Sequence, residues 1–344
     1  MENNGFDSVC KSQVVNRISD EIVMRKQRIA WIDNIKAFLI LLVVLGHCIQ
    51  DVGVNNDTGL MRFIYSFHMP LFMAMSGYVS QRDFTPWRTV GRRAVQLLVP
   101  FIAWAVVKSL IVGDLGFVLT IVMLPDRGLW FLWALFFIGL IIKCCDVVAR
   151  RLQINIVVTL VAAMCVLYLL TLIMGIRVLG LQFVAWQMPF YCFGWWLNRC
   201  NVAERLPKTA MWLLFGAFGL MLCFYPLEGD FGNVALNKLA HWGYAIVVAA
   251  TAIVAFVKLF SCYFTRSFAL GDALGQNTLA IYAISLTTNI VYIKAYGELV
   301  KYLPDYMVIA ALFVGMVAYS WVVMKLLDLT KITSLLFLGK NKWR

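Results

Sequence analysis

Charged residues and histidines are scarce in this sequence. Only 14% of its 344 residues are charged, well below the share typical of soluble domains, and only three are histidine. The nine cysteines show no metal-ligand spacing, so we expect no zinc site, no structural disulfide, no other metal and no permanently bound cofactor. The chain also lacks low-complexity tracts, long Gly/Pro/Ser linkers and visible repeats, which argues against a multidomain protein.

Apolar residues take the place of the missing charge. They make up 62% of the chain, and segments long enough to cross a hydrocarbon core of about 30 Å recur along nearly all of it. The sequence therefore predicts an all-α integral membrane protein, a bundle of about ten transmembrane helices. The predicted spans run roughly over residues 36–53, 60–80, 90–112, 128–144, 153–175, 179–197, 209–226, 239–260, 270–293 and 305–327.

The positive charge of the chain indicates its orientation rather than a nucleic-acid partner. The formal net charge is +12, but most of the 30 Lys and Arg residues fall in the two terminal segments and in alternate loops. The opposite loops hold Arg62, Arg127, Arg177, Lys238, Lys294 and Lys301. By the positive-inside rule, both termini are expected in the cytoplasm. We predict a multi-pass protein of the plasma membrane, the inner membrane of a bacterium, surrounded by lipid.

The chain divides into one membrane domain and two tails. Residues 1–30 carry charges of both signs without an apolar core, so we expect no cleavable signal peptide, and the first span would act as the targeting signal. We predict a cytoplasmic tail over 1–30, a transmembrane domain over 31–330 and a basic cytoplasmic tail over 331–344. Nothing in the sequence predicts an oligomeric state.

Two of the three histidines lie well inside predicted spans near the start of the chain, and the first shares a helix face with a lysine. Lys36 and His47 are eleven residues apart, so they face the same way, about 16 Å apart along the helix axis. The second span returns from the other side of the membrane, and His68 lies in it at a depth similar to that of His47. Ionisable groups in a membrane favour a functional hypothesis, and a neutral imidazole can act as a general base. Alternatively, each histidine only bonds a neighbouring helix, or His68 compensates for the Pro70 kink.

A basic cluster marks the start of the third span. Arginine forks suit phosphate, so Arg88, Arg92 and Arg93 could hold the phosphates of a nucleotide-bearing donor. Asp33 and Lys36 lie at the same membrane face and could complete such a site. A structural explanation is also open, because basic residues at cytoplasmic helix ends follow from topology alone, and Asp33 and Lys36 could simply pair with each other.

Two further features favour structural interpretations. Gly271 and Gly275, at the start of the ninth predicted span, would allow close helix packing. His241, beside Trp242 at the outer start of the eighth predicted span, is expected to be an interface residue.

Motifs spread over most of the chain resemble the membrane acyltransferase 3 family. That family includes bacterial O-acetyltransferases of surface polysaccharides and nodulation factors. The motifs that carry the resemblance occur in family order: Arg28–Lys36 and then Gly46–His47, Phe67–Phe72 and then Ser76–Tyr78, Leu97–Phe101, Leu129–Leu132, and Leu274–Leu279 and then Ile281–Tyr282.

The resemblance implies a ten-span bundle that moves an acyl group, usually acetyl, from cytoplasmic acyl-CoA to a hydroxyl of a cell-surface glycan or lipid-linked saccharide. The family's first-span basic residue and histidine map to Lys36 and His47, with His47 as the catalytic base. The family's third-span arginine pair maps to Arg93 and Gln96, so one half matches. The family commonly has arginine in place of Lys36, and many relatives have a late histidine where this chain has Ser285.

The sequence therefore predicts a membrane acyltransferase with acetyl-CoA or another acyl-CoA as donor. His47 would take the acceptor proton, and His68 would orient the acceptor or bond the oxyanion. The predicted donor-binding residues are Asp33, Lys36, Arg88, Arg92 and Arg93. A transporter or flippase with the two histidines as a proton relay is the competing class, although the paired interrupted spans that mark many transporters are not visible. A third possibility is a degenerate relative that only binds acyl-CoA or a saccharide lipid.

Overall fold

The protein is helical throughout the parts that its computed structural model describes, which are residues 30–51, 58–80, 87–226 and 234–340. No β-strand occurs in these ranges. In chain order the helices are α1 (Ala30–Asp51), α2 (Gly59–Val79), α3 (Trp87–Val112), α4 (Phe117–Met123), α5 (Trp130–Leu152), α6 (Ile156–Tyr168), α7 (Leu181–Arg199), α8 (Val202–Arg205), α9 (Lys208–Leu222), α10 (Val234–Tyr263), α11 (Ala269–Gln276), α12 (Thr278–Thr287), α13 (Asn289–Leu299), α14 (Asp305–Leu327) and α15 (Lys331–Leu338). A π-helical turn over Leu169–Ile173 continues α6, and 3-10 turns cover Pro125–Arg127 and Val178–Gly180.

The predicted all-α architecture is confirmed for these residues. Five helical stretches in the described part are long and apolar enough to cross a membrane: Ala30–Gln50, Thr89–Val112, Trp130–Leu152, Leu236–Tyr263 and Asp305–Leu327. Shorter apolar helices cover Ile156–Thr171, Lys208–Leu222 and Thr278–Thr287. Large aliphatic side chains face outward, such as Leu213 at 75% exposure and Leu220 at 66%. An apolar exterior on an apolar core is what lipid surroundings require.

The ninth predicted span, residues 270–293, is divided among three helices. The Asn277 backbone leaves the helical region at φ −116°, and its side-chain amide donates to the Ala273 carbonyl at 2.7 Å. The Thr288 hydroxyl bonds the Ile284 carbonyl at 2.7 Å where α12 ends. Such bonds to the preceding turn compete with the regular backbone pattern, so a largely apolar segment breaks at these two polar residues.

Glycines set the closest approaches between helices. A Cβ atom at Gly194 of α7 would collide with the Ala74 backbone of α2, and one at Gly77 of α2 would collide with the Tyr191 backbone of α7. The predicted packing role of the α11 glycines is confirmed, because Gly275 lies against the Asp33 backbone of α1, and Gly271 lies against Asn34. α1 is thereby held at the centre of the bundle.

The C-terminal segment that we predict as a tail contains a packed helix. α15 lies against α3, and the Trp104 indole nitrogen donates to the Phe337 carbonyl at 3.0 Å. Gly339 follows with φ +66° and rests on the Gln96 backbone. Residues 1–29 and 341–344 lie outside the described ranges. We call the side of the bundle on which α1 begins the lower side, and the side on which α1 ends the upper side.

We expect Gly194→Ala to destabilise the protein by about 1–3 kcal/mol or more, because the added methyl group meets backbone rather than a side chain that can move. The matched control is Gly216→Ala in α9, where no atom lies within 4 Å of the new Cβ and the helix gains about 0.5–1 kcal/mol. Thermal unfolding of both purified variants in detergent checks this. Equal unfolding midpoints would contradict a close contact between α7 and α2.

Candidate active site

One face of α1 links the two sides of the bundle. The helix is unbroken from Ala30 to Asp51, so Lys36, Ile40, Val43 and His47 follow one another along the same stripe. Lys36 lines a cavity on the lower side, and Ile40 and Val43 line a small pocket directly above it. His47 stands one turn beyond Val43.

The cavity on the lower side has a volume of about 410 Å³, within the range of small-molecule sites. We call it the basic cavity, because Lys36 of α1, Arg93 of α3 and Lys340 after α15 all line it. None of the lining residues that the structure describes is acidic. Three cations around one space with no carboxylate among its walls repel one another and favour an anionic ligand.

Arg93 lies between α5 and α7. Its Nη1 atom is 3.5 Å from the Tyr191 hydroxyl and 3.2 Å from the position that a Cβ atom would take at Gly139. Arg93 and Tyr191 also line a neighbouring cavity of about 50 Å³, together with Lys143. The missing side chain at Gly139 thus leaves room for a guanidinium group beside α5.

The other predicted donor residues are placed differently. Arg92 points outward and is exposed, and Arg88 belongs to α3 but its side chain lies outside the described structure. Asp33 is buried at 3% exposure, lies against Gly275, and is not among the residues that line the basic cavity. Of the predicted set, the structure therefore brings Lys36 and Arg93 together at the cavity.

An aromatic constriction separates the basic cavity from the histidines. Phe72, Phe131, Thr278 and Leu279 line both the basic cavity and the small pocket above it, whose volume is about 10 Å³. Phe131 contacts Phe72 with ring centroids 5.7 Å apart, and it contacts Tyr282 of α12 at 6.0 Å. The small pocket on the side of the basic cavity towards His47 is therefore narrow, and its lining is mainly apolar.

His47 and His68 are neighbours across α1 and α2, close enough to interact electrostatically. The Nδ1 atom of His68 lies 2.6 Å from the Ile64 carbonyl oxygen. Because a carbonyl oxygen only accepts, Nδ1 carries the hydrogen, and Nε2 of the neutral ring is left as an acceptor. The bond goes to Ile64 and not to Ser66, whose carbonyl is the one that Pro70 leaves without its helical donor. His68 is thus not compensating directly for the proline.

The site also contains two lysines for which the sequence predicts no role. Lys108 of α3 lies close enough to His47 to interact with it electrostatically. A signal for it was present in the sequence, since it is an ionisable residue inside a predicted span. Lys340 lies beyond the last predicted span and carries no such signal, because only the packing of α15 brings it to the basic cavity. His241 and Ser285 do not line the basic cavity.

A helical membrane bundle with a basic cavity on one side, and with buried His68 and half-buried His47 above it, suits a membrane-embedded enzyme. The family model described as "Acyltransferase domain" matches residues 29–325, well over half of the chain. The chain belongs to this acyltransferase 3 family and is an acyltransferase.

Two curated relatives carry the same name. The chain is 28% identical over 335 residues to "Nodulation protein NolL" of Sinorhizobium fredii, a match that covers 85% of this chain and 87% of the relative. It is also 28% identical over 291 residues to "Nodulation protein NolL" of Mesorhizobium japonicum, covering 73% of this chain and 74% of the relative. No solved structure matches the chain significantly.

The hydrogen bond of His68 predicts that this residue contributes little to stability. We expect His68→Leu to cost about 0.5–1.5 kcal/mol, because the Ile64 carbonyl keeps its regular helical donor. The comparison variant is Phe67→Ala on the same helix, which we expect to cost about 3–5 kcal/mol because Phe67 is fully buried against Phe256 and Phe218. Thermal unfolding of both variants is the measurement. An equal loss at the two positions would make His68 a structural residue.

Proposed function

We propose that this acyltransferase moves an acetyl group from cytoplasmic acetyl-CoA to a hydroxyl of a cell-surface glycan or lipid-linked saccharide, with His47 as general base. The observation that carries the proposal is the single face of α1, which leads from Lys36 in the basic cavity to His47 beside His68. The proposal includes ten spans, both termini in the cytoplasm and a location in the bacterial inner membrane, as the positive-inside pattern predicts.

The donor would bind from the lower side. Coenzyme A carries several phosphate charges at one end, and the basic cavity offers Lys36, Arg93 and Lys340 without a lining carboxylate. Charge-assisted hydrogen bonds from arginine and lysine to phosphate are among the stronger polar contacts in proteins. With the lower side in the cytoplasm, the cavity would open to the compartment that contains acyl-CoA.

The pantetheine arm would extend upward along α1. It is a slender chain that ends in the thioester, and the small apolar pocket beyond Phe72 and Phe131 lies on the line to His47. The pocket of about 10 Å³ is too small for the arm as it stands, so the aromatic side chains must move apart when the donor binds. If these aromatic side chains close again behind the thioester, they would exclude water from the reacting atoms.

The chemistry would follow from the two histidines and Lys108. Neutral His47 takes the proton of the acceptor hydroxyl while the hydroxyl oxygen attacks the thioester carbonyl carbon. The tetrahedral intermediate then expels the CoA sulfur, which receives the proton from His47, and the products are the ester and free CoA. Lys108 favours the negative charge on the intermediate because it lies within electrostatic range of His47.

The tautomer of His68 favours one of its two predicted roles. Its Nδ1 hydrogen is engaged by Ile64, so the neutral ring presents Nε2 only as an acceptor. An acceptor can hold a hydroxyl hydrogen of the saccharide, but it cannot donate to an oxyanion. We therefore assign His68 to orientation of the acceptor.

The acceptor class rests on the resemblance to a family that includes O-acetyltransferases of surface polysaccharides and nodulation factors. The likeness to two proteins named for nodulation supports an acceptor of this kind. A transporter is the second candidate, because two neighbouring histidines inside the bundle would also suit a proton relay. The acyltransferase family match favours transfer.

We expect His47→Ala and His47→Gln to lower acetyl transfer by about 10²-fold or more, the usual contribution of a general base. Purified protein in lipid would receive radiolabelled acetyl-CoA and a crude cell-surface glycan fraction. His241→Gln, a change at the third histidine, serves as control and should keep wild-type transfer. Equal transfer by a folded His47→Ala protein rules out the base assignment. Absence of transfer by the wild type, with proton-coupled solute uptake, favours the transporter.

We expect Val43→Phe to block the passage while the donor still binds. Val43 is 2% exposed and lines the small pocket, so a ring at this position fills the route to His47. Leu45→Phe is the matched control, because Leu45 lies two residues further along α1, about 200° around the helix. Acetyl transfer and CoA binding measured in parallel test this. Undiminished transfer by Val43→Phe would place the route elsewhere.

A further inference from the structure

The end of α15 is held at one defined place. Gly339 has φ +66° and rests on the Gln96 backbone, where a side chain would both strain the backbone and collide. The Lys340 amide donates to the Ser334 carbonyl at 3.1 Å, so the chain turns back over the helix end. Trp104 of α3 anchors the preceding turn through the Phe337 carbonyl. These contacts place Lys340 at the wall of the basic cavity.

The Lys340 ammonium is oriented but retains donor capacity. Its Nζ atom donates to Asn277 Oδ1 at 2.9 Å and lies 3.8 Å from Asp328 Oδ2. The Asn277 amide nitrogen donates to Ala273, which turns the oxygen of the same side chain towards the lysine. An ammonium group has three hydrogens, so the hydrogen bond to Asn277 and the ion pair with Asp328 leave at least one for a ligand in the cavity.

Lys340 adds charge at the wall where the third helix carries the uncharged Gln96. The basic cavity is lined by Gln96 at the position for which the family resemblance implies an arginine, and Gly339 lies directly on that residue's backbone. Lys340 therefore enters the cavity beside the uncharged Gln96 side chain, from a segment that begins after residue 325, where the family match ends. A positive charge is present at this wall, but a different part of the chain supplies it.

We propose that Lys340 binds a phosphate group of the acyl-CoA donor, so that the C-terminal helix α15 completes the donor site. This inference rests on the proposed function, since it names a further residue of the same site. It makes the segment after residue 330 a part of the binding machinery rather than a tail. The donor site then draws its three cations from α1, α3 and the end of α15.

The test is the affinity of the full-length protein in lipid nanodiscs for CoA, measured by isothermal titration calorimetry. Lys340→Met keeps the length of the side chain and removes its charge, and we expect it to weaken CoA binding about tenfold or more. Lys340→Arg should remain within a few-fold of the wild type. Lys331→Met is the matched control at the start of α15; Lys331 is exposed and does not line the cavity, so its loss should leave affinity unchanged.

A second variant separates charge from packing. Gln96→Arg in the Lys340→Met background returns a cation to the same wall from α3, and we expect it to recover part of the lost affinity. Wild-type affinity in Lys340→Met overturns the proposal, as does a loss that neither Lys340→Arg nor the Gln96→Arg combination reduces, because Lys340 would then act through packing. If the wild type itself does not bind CoA, the donor assignment fails as well. If the wild type binds CoA and Lys340→Met binds it equally well, the role of Lys340 is overturned, but the assignment of the basic cavity to the donor stands.

Discussion

Backbone contact at glycine positions is the constraint on which the site depends. Gly275 lets α11 touch the Asp33 backbone of α1, Gly194 lets α7 touch α2, and Gly339 lets the end of α15 touch α3. Two of these glycines also line the basic cavity, so the contacts that hold the helices together shape its walls as well. In an apolar environment there is little hydrophobic drive between helices, and close packing at small residues takes its place.

The site separates two kinds of polar chemistry along one helix. Cations collect on the lower side around a space whose described lining residues include no carboxylate, and the histidines lie above an apolar constriction. This separation suits a donor with a charged end and a reactive end, because the charge can be held at the mouth while the reacting group enters a region of lower polarity. Buried electrostatic interactions are strongest there, and a base or an oxyanion is most sensitive to its neighbours.

Some features of the structure are predictable from the sequence and others are not, for physical reasons. The shared face of Lys36 and His47 follows from helix geometry within one uninterrupted segment, so it is predictable. The break of residues 270–293 at Asn277 and Thr288 is not, since single side-chain hydrogen bonds decide which of the segment's polar residues interrupt the helix. Arg92 and Arg93 are neighbours in sequence, but about 100° of rotation separates them, and only Arg93 reaches the cavity.

The sequence by itself determined the helical membrane class and the stripe from Lys36 to His47, because composition and periodicity are local properties of the chain. Its motifs carried the resemblance to acyltransferases. The tertiary structure alone decided which cations meet in one cavity, that Lys340 is among them, and which carbonyl holds the His68 ring. These depend on contacts between residues far apart in the chain or on the rotamer of one side chain. Local pattern carries no information about which helices pack together, and packing is what brings distant charges to one wall.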